Sequence, residues 1–238
     1  LNRDAHLFQY QPDAFDCIIL DEAHHSSNNI YTKVIDYFNP KLFLGMTATP
    51  DKRDDNQEGK NIYEIFHYQI AHEIRLQQAM EENLLCPFHY FGISEVVSLD
   101  DKTLQATKLT DDEFNQLTSD ERVRHVIEQS EYYGYSGNRV KGLIFCSRIE
   151  EANELSKKFN EHGWRTLALS GADSEEVRRD AIERLVNDDI NELDYILSVD
   201  IFSEGVDVPE INQVIMLRPT QSPIVFIQQL GRGLRKAE

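Results

Sequence analysis

From Lys141 onward the chain alternates short apolar runs with longer amphipathic ones: Gly142 to Cys146, Glu150 to Glu161, Arg165 to Leu169, Glu175 to Asn187, Tyr195 to Val199 and Val214 to Leu217. Apolar runs of four or five residues that stop abruptly at polar ones are the pattern of central parallel strands. The longer segments carry helical spacing, as in Ile149, Ala152, Leu155 and Phe159. Ser147 with Glu150, and Asp173 with Glu176, have the spacing of capping boxes at helix starts. A repeating strand and helix pattern predicts a parallel sheet covered by helices.

A shorter version of the pattern occupies residues 15 to 50. Cys17-Ile18-Ile19-Leu20 stops at Asp21, and Leu42-Phe43-Leu44-Gly45-Met46 stops at Thr47, which predicts two buried parallel strands with a helix between them. The polar stretch from Asp51 to Gly59 reads as an exposed loop. A helix is expected from about Ala71 to Glu82, with Ile74, Gln78 and Met80 or Leu85 marking an uneven apolar face. Its pattern ends at Cys86-Pro87, and Phe88 to Ile93 reads as extended. Thr110 with Glu113, and Thr118 with Glu121, are capping-box spacings that predict two helices ahead of the second sheet. The expected organisation is a first lobe over 1–87, a connecting segment with helices over 88–140, and a second lobe over 141–238.

With 238 residues and 40% apolar content, ordinary cores are within reach. The balance of 24 basic against 42 acidic residues, a net charge of −18, argues against broad adhesion to nucleic acid or an anionic membrane, although a local positive groove is compatible with it. No apolar run reaches the length of a membrane span. Cys17, Cys86 and Cys146 are widely spaced among apolar residues, so neither a zinc pattern nor a disulfide framework is expected, and a reducing, cytoplasmic setting fits. The first residues, Leu1-Asn2-Arg3-Asp4, lack a methionine and a signal pattern, so the chain is expected to be cut from something longer.

Four groups of residues carry chemistry. Asp21-Glu22-Ala23-His24 stands at the carboxyl end of an apolar strand, where open parallel sheets place ligands. One carboxylate there can hold magnesium against nucleotide phosphates, and a second can orient or deprotonate water. Taken alone, the same residues serve equally well as an acidic turn capping the next helix. Thr47-Ala48-Thr49-Pro50 ends the next strand, which would bring its hydroxyls towards His24. By itself it is an ordinary turn before proline. In Ser203-Glu204-Gly205-Val206-Asp207-Val208-Pro209, a glycine permits close backbone approach and a carboxylate could accept ribose hydroxyls, although such loops are common. Gln228-Gln229-Leu230-Gly231-Arg232-Gly233-Leu234-Arg235 puts two arginines three apart, either two guanidinium forks for one phosphate chain or a basic helix end.

In that order, and with Leu143-Ile144-Phe145-Cys146 between them, these motifs resemble the superfamily 2 DEAD/DEAH-box helicases. The string from Gln228 to Arg235 is most similar to bacterial restriction-enzyme motor subunits and DNA-repair translocases. The resemblance implies two RecA-like parallel-sheet lobes, the first truncated on its N-terminal side. It implies that Asp21, with Glu22 beside it, helps bind magnesium, that Glu22 is the catalytic base, and that His24 links the nucleotide to Gln228, Thr47, Ala48 and Thr49. Gly205 and Asp207 would approach ATP, and Arg232 and Arg235 would be arginine fingers. Nucleic-acid contacts would come from Ser147, Arg148, Ser170, Gly171 and Ser198. Gln228 and Gln229 stand where DEAD-box RNA helicases usually carry histidine and arginine, so DNA is expected rather than RNA. The family's phosphate-binding loop, G-x-x-x-x-G-K-S/T, is absent from the sequence, which the resemblance explains by a missing N-terminal part. Fused nuclease or accessory domains are a further implication.

Two other readings remain at this point: a duplex translocase that does not unwind, and an inactive ATPase-like scaffold for a protein partner. A metal-dependent hydrolase built on Asp21, Glu22, His24 and His25 fails, because adjacent residues do not share one helical face.

Overall fold

The computed structural model describes residues 4–23, 29–47, 62–96, 109–188, 191–199, 208–217 and 231. The chain divides into two units, Leu1–Ile74 and Arg75–Glu238. The polar stretch from Asp51 to Gly59 lies outside the described residues.

The first unit contains α1 (Asp4–Leu7), β1 (Cys17–Leu20), α2 (Asn29–Tyr37), β2 (Leu42–Gly45) and α3 (Ile62–Ile65). The two strands are parallel, with Cys17 opposite Leu42 and Leu20 opposite Gly45. Alternation along a strand sends Ile18 to one face, where it packs with Leu7, Val34, Tyr37 and Phe38. On the other face Ile19 is 55% exposed and Leu42 is 53% exposed. The sequence predicts strands buried on both faces; among the described residues only the Ile18 face is covered, by α1 and α2. Gly45 is required by close approach: a Cβ there would come within 2.5 Å of the Phe66 ring and 3.0 Å of Ala23 Cβ.

In the second unit the elements are α4 (Leu76–Glu81), α5 (Asp111–Leu117), α6 (Asp120–Tyr133), β3 (Gly142–Phe145), α7 (Ile149–Glu161), β4 (Thr166–Leu169), α8 (Glu175–Val186), β5 (Tyr195–Ser198) and β6 (Gln213–Met216). Its strands form one parallel sheet in the order β4-β5-β3-β6. Period-two alternation sorts the side chains into two cores. Ile144, Cys146, Tyr195 and Leu197 meet Val123 and Val126 of α6 and Ala152, Leu155 and Phe159 of α7. Leu143, Phe145, Leu169 and Ile196 meet Ala181 and Leu185 of α8 on the opposite face. Each fully buried aliphatic or aromatic side chain contributes about 1.5–3 kcal/mol relative to exposure, so a sheet buried on both faces is the stable centre of this unit.

The helix ends follow local chemistry. At α5 both limbs of the capping box are formed: Glu113 N donates to Thr110 Oγ1, and Thr110 N donates to Glu113 Oε2 at 2.7 Å. At α6 the cap is Ser119, which accepts from Arg122 N, one residue beyond the expected Thr118, whose hydroxyl instead donates to Phe114 O. Helix α8 is capped by Ser174 rather than Asp173. Helix α4 is shorter than the expected 71–82, because Arg75 is extended and Asn83 adopts a left-handed φ of 56° while Leu84 N donates back to Ala79 O.

Candidate functional site

Asp21, Glu22 and Thr47, the described ones among the sequence-predicted residues of the first unit, stand at the carboxyl ends of β1 and β2. Asp21 is exposed, and its Oδ1 accepts the Glu22 amide at 2.9 Å. Glu22 is half-buried and takes φ of 47°, a left-handed conformation that costs a residue with a Cβ roughly 1–2 kcal/mol. Backbone strain of this kind concentrates at functional sites, where the surrounding structure enforces it. The enforcement is visible: Ala23 is fully buried, its amide donates to Met46 O at 2.8 Å, and Met46 N donates to Leu20 O at 2.8 Å. This pair of backbone bonds fastens the acidic turn to the end of β2, so that Thr47, the next residue, begins beside Ala23.

An exposed carboxylate at a strand end suits magnesium, which keeps several waters and takes one or two carboxylates plus substrate phosphates rather than a protein cage. Among the described residues no group of three or more His, Cys, Asp or Glu could hold a metal by itself. His24, Ala48, Thr49, Gly205, Asp207, Gln228, Arg232 and Arg235 lie outside the described residues.

The second group, Ser147, Arg148, Ser170, Gly171 and Ser198, comes together at the carboxyl edge of the four-stranded sheet. Parallel strands in the order β4-β5-β3 place Leu169, Ser198 and Phe145 in register, so the loops that follow them emerge side by side. The loops after β3 and β4 are each held from behind by a side chain. Ser147 N donates to Glu151 Oε2 at 2.9 Å. Ser170 donates through its amide and its hydroxyl to Asp173 Oδ2, at 2.6 and 2.9 Å. Arg178 donates to Gly171 O at 3.2 Å and to Asp173 O at 2.6 Å. Ser198 is 1% exposed, and its Oγ has no hydrogen-bond partner among the described residues. An orphaned buried hydroxyl at this edge is costly unless something approaches it.

Glu151 and Arg178 were not singled out by the sequence, and Asp173 only as a helix cap. Glu151 carried a legible signal, because it lies four residues before the buried Leu155 on one helical stripe, where a charge demands a partner. Asp173 and Arg178 carried none beyond their place at a helix start.

Residues 121–237 match the family described as the helicase conserved C-terminal domain, and residues 1–52 match the family described as the type III restriction enzyme res subunit. The chain is 26% identical to the Saccharomyces cerevisiae protein named "Putative ATP-dependent helicase IRC3", over 96% of this chain and 33% of that protein. Among solved structures, it resembles "the fragment structure of a putative HsdR subunit of a type I restriction enzyme" from Vibrio vulnificus YJ016, at 23% identity and a TM-score of 0.72, covering 98% of this chain and 43% of that one. It also resembles the ATP-dependent type ISP restriction-modification enzyme LlaBIII bound to DNA, at 21% identity and a TM-score of 0.63, covering 97% and 18%. At these identities the two structures show the fold alone, a mixed α/β fold built on parallel sheets. The chain spans from about a third to about a half of the first curated relatives it matches.

Proposed function

Since the chain belongs to the superfamily 2 helicases, we propose that it is part of an ATP-driven motor that moves along DNA. The observation that carries this reading is the turn after β1: an exposed Asp21 and a half-buried, left-handed Glu22, fastened to the end of β2 through Ala23 and Met46.

In this mechanism Asp21 holds magnesium with the nucleotide. The ion, when bound, offsets charge on the β- and γ-phosphate oxygens. Glu22 orients the attacking water and accepts its proton; a half-buried carboxylate in an enforced turn is suited to holding one direction. His24 and the Thr47-Ala48-Thr49 turn relay the state of the nucleotide, and Gln228, Gly205 and Asp207 contact it. Arg232 and Arg235 bring positive charge to the phosphates, a role worth roughly 10³ to 10⁵ in rate in other nucleotide hydrolases. On this reading residues 1–87 and 141–238 are the two lobes, 88–140 connects them, and 21–24 act as a DEAH box.

DNA is favoured over RNA by Gln228 and Gln229, and the likeness to an enzyme solved with DNA is in keeping with that. The net charge of −18 confines strand contacts to a small region, and the loops after β3, β4 and β5 are the region proposed. No described helix is long and apolar enough to cross a membrane. A cytoplasmic setting, and fused nuclease or accessory domains, belong to the same proposal.

The test is ATP hydrolysis by the complete protein with and without DNA. Stimulation by DNA that is lost in Glu22→Gln and in Arg235→Ala is expected, and full activity in both variants would sink the mechanism. Strand-displacement and triplex-displacement assays run side by side separate unwinding from movement on an intact duplex.

A further inference from the structure

Arg122 of α6 is 2% exposed, yet every N–H of its guanidinium is engaged. Nε and Nη2 donate to the two oxygens of Glu95, at 3.2 and 2.9 Å. Nη1 donates to Glu151 Oε1 at 2.7 Å and to Leu117 O at 2.8 Å, and Nη2 also donates to Leu217 O at 2.9 Å. Burial alone would weaken the charged form, but Glu95 and Glu151 outweigh it and hold the guanidinium above its ordinary pKa. Glu151 is fully buried, and its second oxygen takes the Ser147 amide.

Glu95, by contrast, is 43% exposed and sits on a segment without regular structure. That segment runs antiparallel along α6. Phe91 stacks on Tyr133 with ring centroids 4.0 Å apart, Ser94 O lies 3.1 Å from His125 Nε2, and Glu95 clasps Arg122. Two carboxylates thus share one buried guanidinium, from opposite sides of the packing. If Glu95 lets go, Nε and Nη2 are left unsatisfied, and the nearest remaining acceptor for a forked donor is the Glu151 carboxylate. Turning towards it bidentately takes the oxygen that now holds Ser147 N.

We propose that Arg122 is a positioning residue that couples docking of the 86–96 segment, through Glu95, to placement of the Ser147–Arg148 loop, through Glu151. The coupling rests on the reading that this loop contacts nucleic acid. Release of the segment withdraws Glu151 from the Ser147 amide and loosens the loop; docking restores it.

The experiment uses Glu95→Gln in the complete protein, with Glu121→Gln, an exposed acid on the same helix, as control. Two quantities are read: hydrogen exchange of the peptide carrying the Ser147 amide, and the concentration of a DNA duplex that half-saturates ATP hydrolysis. In Glu95→Gln, exchange rises and half-saturation shifts upward by about two- to tenfold, the range one net hydrogen bond carries, while kcat and DNA-free hydrolysis stay at wild-type values. Glu121→Gln changes neither. Unchanged Ser147 exchange overturns the coupling, as does a fall in kcat with half-saturation unmoved, which is the pattern of a merely structural contact. Absence of DNA stimulation in the wild type overturns the underlying reading instead, and is seen before any variant is made.

Discussion

Gly142→Ala tests how tightly the central sheet is packed. Gly142 opens β3 opposite Tyr195 of β5, and an added methyl would lie 2.2 and 2.3 Å from Tyr195 Cδ1 and Cε1. The ring has nowhere to go. One side stacks on Trp164 at 4.4 Å, which in turn stacks on Phe159 at 4.9 Å, and the hydroxyl is bonded to Ser130 Oγ at 2.7 Å and to Gln213 Oε1 at 2.5 Å. Overpacking of this kind costs about 1–3 kcal/mol, and pulling the hydroxyl off its partners adds about 1 kcal/mol for each bond lost. Against that, alanine lowers the entropy of the unfolded chain by an amount worth about 0.4–1 kcal/mol. The net loss is about 2–4 kcal/mol, or a fall in Tm of roughly 4–16 °C at about 2–4 °C per kcal/mol. Trp164 is the only tryptophan and lies in the strained stack, so urea unfolding followed by its fluorescence reads the effect directly. In a Tyr195→Leu background, where the ring is absent, the same glycine substitution should cost under about 1 kcal/mol. Equal losses in both backgrounds, or a loss below about 0.5 kcal/mol in the wild type, would refute the steric account.

Other outcomes follow from the same contacts. Arg122→Met leaves Glu151 buried without its cation and should cost about 3–5 kcal/mol in urea unfolding, part of it recovered when Glu151→Met is added. Thr110→Ala removes one limb of the α5 capping box and should lose about 0.5–2 kcal/mol by the same measurement. Burial, and then the charge of Glu151, push the Cys146 thiol well above its ordinary pKa, so a maleimide should label exposed Cys17 promptly and Cys146 only at the rate of unfolding. Lys158, by its hydrogen bond and its charge, holds the Asp120 carboxyl below its ordinary value. A group with a depressed folded pKa contributes stability that is present above the unfolded pKa and lost as pH falls through the folded one; NMR titration should show the Asp120 pKa rising towards its ordinary value in Lys158→Met.

The strands of the second unit were legible because their apolar runs are short, uninterrupted and bounded by polar residues. Gly142, Tyr195 and the start of α8 at Glu175 stand where the pattern placed them. A run such as Cys17 to Leu20 reads the same whether one or both faces are covered, so the exposure of Ile19 and Leu42 was not legible. Cap positions slipped by one where two hydroxyls adjoin, at Thr118 and Ser119, because either could reach a free amide and only the entry angle of the chain decides. The acidic turn at Asp21 and Glu22 was legible as chemistry, but its left-handed backbone was not, since no glycine or asparagine advertises it. Least legible was the Arg122 cluster. Its partners Glu95, Glu151 and Leu217 lie 27, 29 and 95 residues away in sequence, and no local pattern joins them.

Movement on DNA driven by ATP is tested most directly by triplex displacement. The complete protein, a duplex carrying a fluorescent third strand, and ATP are mixed, and release of that strand is followed in the wild type and in Glu22→Gln. The wild type should release it only with ATP, and Glu22→Gln should bind the duplex and leave the third strand in place. Release by Glu22→Gln at the wild-type rate, or none by a wild type that hydrolyses ATP on the same DNA, would contradict the account.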